Sequence, residues 1–360
     1  MMREHSKRAR SLGGWALLLL AVLAVPALSA CGLWKSGAEQ TVRSIDPPPS
    51  NLEEAWLQST EEAALARGNE MITVYLLDRN GYLAPMSLRD ERQPSSPSSA
   101  AEKAIAWMTA DRRLADQLPP GFTAVLPEGT KVVSVQENAG ERTISVDFAS
   151  PFPGIPASRE RKVVEALVWT LTELPGIDKV KLSIGGQPIR SLPSSGLPVD
   201  TVLTRGLGIN LEKAQDVQPT RAMGVTLYFS SHSADGEGYF VPVTRLIERQ
   251  SDPAKAALEQ LIAGPRDTKA FKSALDSDVA IEKLGRLADT VNVALQDEGW
   301  APRTPVSAEM MEALVLTLTE ATGAPQVSVV MNGDDTFLDS EQRSYVQPVT
   351  RPAYVNALQR

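Results

Sequence analysis

The chain has one cysteine, two histidines and only 5% aromatic residues in a length of 360. A single thiol cannot form a disulfide within the chain. His5 falls in the N-terminal segment, so His232 is the one histidine of the body, and one imidazole without free thiols does not assemble the usual zinc ligand sets. Scarce aromatics predict aliphatic cores, and 42% hydrophobic with 22% charged residues suits a soluble globular protein. Basic residues are also in short supply, 36 against 44 acidic ones, a net charge of −8. That balance argues against nucleic acid or anionic lipid held by bulk electrostatics. No phosphate-binding loop is written: GLGIN (Gly206–Asn210) has glycines but no strand–turn–helix setting. The one long apolar run, Trp15–Leu28, is too short to span a membrane comfortably.

That run has a different use. Arg3, Lys7, Arg8 and Arg10 precede it, and Ser29, Ala30 and Cys31 follow it, which is the layout of a signal peptide. LSAC (Leu28–Cys31) resembles a bacterial lipoprotein box, in which cleavage before the cysteine is coupled to its acylation; a second acyl chain turns marginal membrane binding into stable anchoring. The competing readings are an ordinary secretory signal and an uncleaved N-terminal helix. Cleavage before Cys31 leaves 32 basic and 43 acidic residues, a net of −11. The expected divisions are residues 1–30, signal peptide; 31–68, a lipidated tether containing DPPPSN (Asp46–Asn51) and a short helix over Leu52–Gly68; 69–210, a first domain; 211–223, a linker; and 224–360, a second domain. QPSSPSSA (Gln93–Ala100) reads as a loop.

The two domains read as copies. EALVWTLTEL (Glu165–Leu174) and EALVLTLTEA (Glu312–Ala321) share eight of ten residues. Upstream, ITVYLLD (Ile72–Asp78) matches VTLYFSS (Val225–Ser231), and each is followed by Gly-Tyr-x-x-Pro, Gly81–Pro85 and Gly238–Pro242. Alanine-rich amphipathic stretches come next, with Ala101, Ala104, Ile105 and Met108 on one face in the first copy and Ala257, Leu258 and Leu261 in the second. Period-two strands follow: Ile144, Val146, Phe148 and Val291, Val293, Leu295 before the repeated helix, then Val180, Leu182, Ile184 and Val327, Val329, Met331 after it. Ser158 and Ser307 read as N-caps of that helix. Each copy closes on Thr-Arg with an asparagine six residues after the threonine: Thr204, Arg205, Asn210 and Thr350, Arg351, Asn356. The expected fold is therefore α+β, two tandem homologous domains of order β-β-α-β-β-α-β, each a small sheet with two helices packed on one face.

The repeated helix has faces that differ in meaning. Stepping about 100° per residue from Leu167 gathers Val163, Val164, Leu171 and Leu174 into a core stripe, with Met310, Met311, Leu318 and Ala321 as counterparts. Thr170 and Thr317 fall at its edge, where a hydroxyl can bond back to the helix. Glu165, Trp169 and Glu173, with Glu312, Leu316 and Glu320, project away from the stripe. The duller reading packs their apolar members under a loop or against the other domain. The sharper one makes the six a partner surface with Trp169 as anchor.

Catalytic and metal sites compete poorly. Ser230 or Ser231 with His232 and Asp235 could be drawn as a triad, but triads are defined by geometry, and a polar turn accounts for SSHSADGEGY. Asp334, Asp335, Asp339 and Glu341 in NGDDTFLDSE could face a calcium ion, yet the spacing is not an EF-hand, and Asn332-Gly333 signals a tight hairpin turn. No spacing rule selects a glycosidase carboxylate pair. The expectation is a protein with no catalytic residues, no metal and no cofactor.

Taken together, the LSAC box, the two copies, the paired TLTE helices and the strands after them (Val168–Gly186 and Val315–Gly333) make the chain resemble the GerM-type sporulation and germination lipoproteins, each half being similar to a GerMN domain. The family's V-D-hydrophobic motif is kept at Val146-Asp147-Phe148 and lost at Val293-Ala294-Leu295, which confines any role of that aspartate to the first copy. The resemblance implies a fold like that of ring-building modules. It also implies a non-enzymatic lipoprotein, anchored through Cys31 to the outer face of the cytoplasmic membrane, that helps assemble or position an envelope complex in endospore formation or germination. Its partners would be envelope or sporulation channel proteins, and no nucleic acid. The alternative is a peptidoglycan- or ligand-binding module that regulates an envelope enzyme.

Overall fold

A computed structural model describes residues 71–89, 94–111, 118–212, 217–275 and 278–357. The signal segment, Cys31 and the expected helix over Leu52–Gly68 lie outside the described residues. In the first half the order is β1 (Met71–Leu77), β2 (Leu83–Arg89), α1 (Pro97–Met108), β3 (Val132–Asn138), β4 (Thr143–Phe148), α2 (Ala157–Leu171), β5 (Lys179–Ile184) and the two-residue β6 (Gln187–Pro188). The second half repeats it with β7 (Ala222–His232), β8 (Gly238–Glu248), α3 (Pro253–Ile262), β9 (Ala280–Leu287), β10 (Thr290–Gln296), α4 (Ala308–Thr322), β11 (Gln326–Met331) and β12 (Val349–Thr350). This is the expected order, with a short edge strand added to each copy.

Each half has two sheets. The opening hairpin, β1–β2 or β7–β8, stands alone, and the later strands form sheets ordered β3-β4-β5-β6 and β9-β10-β11-β12. β4 pairs with β5 and β10 with β11 in parallel, as strands joined through a crossover helix must. The alternating residues behave as their period requires: Ile144, Val146 and Phe148, and Val291, Val293 and Leu295, are buried. The helices lie on one face of the four-stranded sheet and carry the opening hairpin on their other side. The hairpins are accordingly covered on both faces, and every residue of β1 after Met71 is buried.

Local signals set several boundaries. QPSSPSSA is not a loop throughout, because Ser96 caps α1 in a capping box with Ser99, and Pro97 opens the helix, where its missing N–H costs nothing. Ser307 caps α4 by accepting from the Met310 N–H, as expected. Ser158 does not cap α2; Pro156 holds the cap position without a side-chain bond, and the helix begins a residue before Ser158. Gly323, at φ +66°, closes α4 in the left-handed conformation that glycine enters without a Cβ penalty. Asn332-Gly333, both at positive φ, make the tight turn predicted after β11.

The described residues fall in one compact unit. The main apolar cluster runs through both halves, from Val74, Leu167 and Val180 to Leu258, Leu314 and Val327. The stretch expected as a linker joins the fold at its start: Glu212 pairs in parallel with Arg245 of β8 and forms an ion pair with it at 2.8 Å.

Candidate functional site: the seam between the halves

The polar letters repeated in the sequence meet at one place. Thr170 does not bond back to its helix. Its hydroxyl accepts the backbone N–H of Tyr75 at 2.9 Å, and Thr317 does the same for Tyr228 at 3.0 Å. The back-bonding falls to the next threonine of each TLTE: Thr172 donates to Val168 O at 2.8 Å and Thr319 to Val315 O at 2.7 Å. With its proton so directed, each hydroxyl is left to accept from the arginine of the closing Thr-Arg, Arg205 Nε on Thr172 and Arg351 on Thr319, both at 2.8 Å. Each glutamate then takes its own arginine and tyrosine. Arg205 lies 2.6 Å from Glu173 and Arg351 3.0 Å from Glu320, while Tyr75 donates to Glu173 at 2.9 Å and Tyr228 to Glu320 at 3.3 Å. Arg205 also reaches Glu320 of the other half at 3.1 Å, so the two clusters are one network.

The closing segments are exchanged. Asn210 accepts the Leu83 N–H and donates to Leu83 O within its own half, and its amide also donates to Pro242 O of the other half at 2.8 Å. Asn356 makes the same pair with Phe240 and donates to Pro85 O at 2.7 Å. Pro85 and Pro242 stand opposite Tyr75 and Tyr228 in their hairpins. Beyond the asparagines, Ile209 and Glu212 bond to Thr244 of β8, and Ala357 bridges Ser87 of β2. Contacts in which i touches j and j touches i are the signature of an isologous, two-fold interface. Both asparagines adopt positive φ, 48° and 54°, a conformation asparagine tolerates better than most residues.

The electrostatics follow from enclosure. Burial opposes the charge of Glu173, but Arg205 and Arg351 outweigh it and hold the carboxyl below its ordinary value. Burial opposes the charge of Arg351 too, but Tyr228, Glu320 and Glu173 together raise it above its ordinary value. Burial, with nearby Glu173, pushes Tyr75 well up, so both its phenol and that of Tyr228 stay protonated as donors. Glu165 is pushed up by burial despite Arg161 at 2.7 Å and accepts the Asn210 N–H.

The six residues nominated as a partner surface are therefore corrected in place. Trp169 and Leu316 are 0% exposed, and Glu165 is 2% exposed. Trp169 lies edge-on to Tyr75, beneath the Arg205 guanidinium, and donates to Gly208 O at 3.1 Å. Leu316 packs with Tyr228, Phe240 and Val355. Glu173 and Glu320 belong to the network. The projection assumed one cover over each helix, whereas the hairpin and the exchanged segments supply a second. Glu173, Glu312 and Glu320 stay partly exposed, and Glu312 lines a cleft of about 910 Å³ with Glu341, Arg343 and Tyr354.

The residues drawn as a triad do not assemble. Ser233 bonds to Asp235, Ser231 donates to Ala270 O, and His232 Nε2 lies 3.4 Å from Lys272 Nζ. The acids of the 332–341 loop shape turns. Asp334 accepts from Thr336, and the buried Asp339 accepts the N–H groups of Glu341 and Arg343 and the Tyr345 hydroxyl. Asp147 bonds Ser183 and the Gly186 N–H, tying down the turn after β5. The clearest signal of the seam was the co-repetition of Tyr, Thr, Glu, Thr-Arg and Asn at scattered positions in both copies.

A duplicated α+β module, fused through exchanged closing segments, is the class of protein that this geometry defines. The family model described as "Germane: Sporulation and spore germination" matches residues 73–190 and 226–336. The chain is 31% identical to the spore germination protein GerM of Bacillus subtilis (strain 168) over 353 residues, covering 91% of this chain and 94% of the relative. The solved tandem GerMN domains of the sporulation protein GerM from the same species align with a TM-score of 0.74 at 32% identity, covering 79% of this chain and 99% of that one. The chain belongs to the Germane family, and its role lies in sporulation or spore germination.

Proposed function

We propose that the protein is a non-enzymatic, membrane-anchored lipoprotein that helps assemble or position an envelope complex during endospore formation or germination. The anchor is Cys31, at the outer face of the cytoplasmic membrane, and the partners are envelope or sporulation channel proteins. The observation that carries this reading is membership of a sporulation and germination family by a body whose two modules are joined into one unit. A fused pair presents its outer surfaces in a fixed mutual arrangement, which suits positioning other proteins. Glu160, Glu173 and Asp339 are each held by N–H donors, a hydroxyl or arginine, which supports structural roles for these three acids. LSAC and the sole cysteine support the anchor.

The test is crosslinked co-purification of the protein from sporulating cell membranes, alongside Cys31→Ser. The wild type should bring down a defined membrane complex, and Cys31→Ser should move to the soluble fraction. Recovery of no membrane complex, or unchanged membrane partition of Cys31→Ser, contradicts the proposal.

A further inference from the structure

The first half contains an apolar cavity of about 270 Å³ between α2 and the ends of β4 and β5, walled by Phe148, Phe152, Ile155, Val163, Leu167 and Ile184. The second half differs at the matching place beside α4. There Trp300, Phe337 and Tyr345 form an aromatic ladder, Phe337 stacked on Tyr345 at 5.1 Å and edge-on to Trp300 at 6.1 Å. The second copy packs these rings into its core, whereas the first keeps a cavity beside its own Phe148–Phe152 pair.

The charges around the two places differ as well. α4 is capped by Ser307, whereas no side chain caps the start of α2. The one acid of the cavity wall, Glu160, already holds the N–H groups of Ser194 and Ser195 at 2.6 and 2.7 Å. Arg159, in the first turn of α2, and Arg190, next to the lining residue Ile189, are exposed, and among the described residues neither has an ion pair. A helix start favours negative charge, and so do two unpaired guanidinium groups.

We propose that this cavity docks an acidic segment of a partner protein, which inserts one aromatic or leucine side chain and sets a neighbouring aspartate or glutamate against Arg159 and the start of α2. The buried side chain takes a place beside the Phe148–Phe152 pair. The carboxylate meets the exposed guanidinium groups of Arg159 and Arg190, since Glu160 is already held by the Ser194 and Ser195 N–H groups. The inference rests on the assembly reading only in making the occupant a protein.

The test is display of a random 12-residue peptide library on detergent-solubilised full-length protein. Enriched peptides should carry Trp, Phe or Leu within two positions of an acid. Synthetic copies should bind at least tenfold more weakly to Ile189→Trp, which fills the cavity, and to Arg159→Glu, an exposed change that leaves the melting temperature unmoved. Four results overturn the proposal: no enrichment, or enrichment of basic peptides; equal binding to both variants; peptides that reproduce Glu53-Glu54-Ala55-Trp56, which makes the occupant the chain's own N-terminal segment; or cavity-dependent binding of phosphatidylglycerol vesicles without peptide enrichment, which makes it lipid. Display reads the cavity whether or not an envelope complex is recovered from cells, so the two proposals fail separately.

Discussion

In the first half Trp169 lies against Tyr75 and donates to Gly208 O; in the second, Leu316 occupies the matching helical position among Tyr228, Phe240 and Val355. In the first half Asp147 reaches across to hold the turn after β5; in the second, with Ala294 in its place, Asn332 holds the turn after β11 by pairing with both backbone groups of Asp297. One half has an open apolar cavity where the other has an aromatic ladder. Against this drift, Tyr75 and Tyr228, Thr170 and Thr317, Arg205 and Arg351, and Asn210 and Asn356 keep both identity and hydrogen bonds. The lesson is about location. The copies remain alike where one half completes the other, since a change on one side there strands a donor or a charge on the other. They diverge where a substitution can be answered locally.

The largest expected effect is at the unlike pair. Trp169→Ala removes a fully buried ring, a change that costs about 3–5 kcal/mol, and Leu316→Ala about 2–5 kcal/mol. Urea denaturation checks both. If either variant is near wild type, that position is not the core contact described here.

Next is Arg205, which serves glutamates of both halves. Arg205→Met leaves Glu173 without its nearest partner in a partly enclosed site, an expected loss of about 2–4 kcal/mol. The pH dependence has a definite sign. The Glu173 carboxyl is depressed in the folded protein, so its contribution is present above the ordinary glutamate value of 4.5 and is lost as pH falls through the lower folded value. Stability measured from pH 7 down to pH 3 should therefore fall less steeply in Glu173→Gln than in wild type. An equal slope contradicts the assignment.

The smallest effect sharpens the comparison at the turns. Asp147→Ala copies the second half's residue into the first without the compensating asparagine, and should cost about 1 kcal/mol. Thermal melts check it.

How much of this was legible in the sequence depends on which interactions are local. Alternation at Ile144, Val146 and Phe148, the cap at Ser307 and the Asn332-Gly333 turn are written within a few residues and were readable. The cap at Ser96 was also local, but serine–proline composition disguised it as a loop. Trp169 was misplaced because a helical projection knows one neighbour at a time, and its second neighbour arrives from β1, ninety residues upstream. Thr170 was assigned a bond to its own helix for the same reason; the Tyr75 N–H that it accepts is remote in sequence. The seam was spelled out in pieces, and its repeated pieces pointed to one another only when both copies were read together.

The central claim is that the two copies are one cooperative body joined by exchanged segments. Differential scanning calorimetry of the full-length protein in detergent tests it most directly, with Asn356→Ala as the probe, because that side chain holds both β8 and Pro85 of β2. The account predicts a single transition, with equal calorimetric and van't Hoff enthalpies, which Asn356→Ala lowers without splitting. Two separable transitions, only one of them moved by Asn356→Ala, would contradict it.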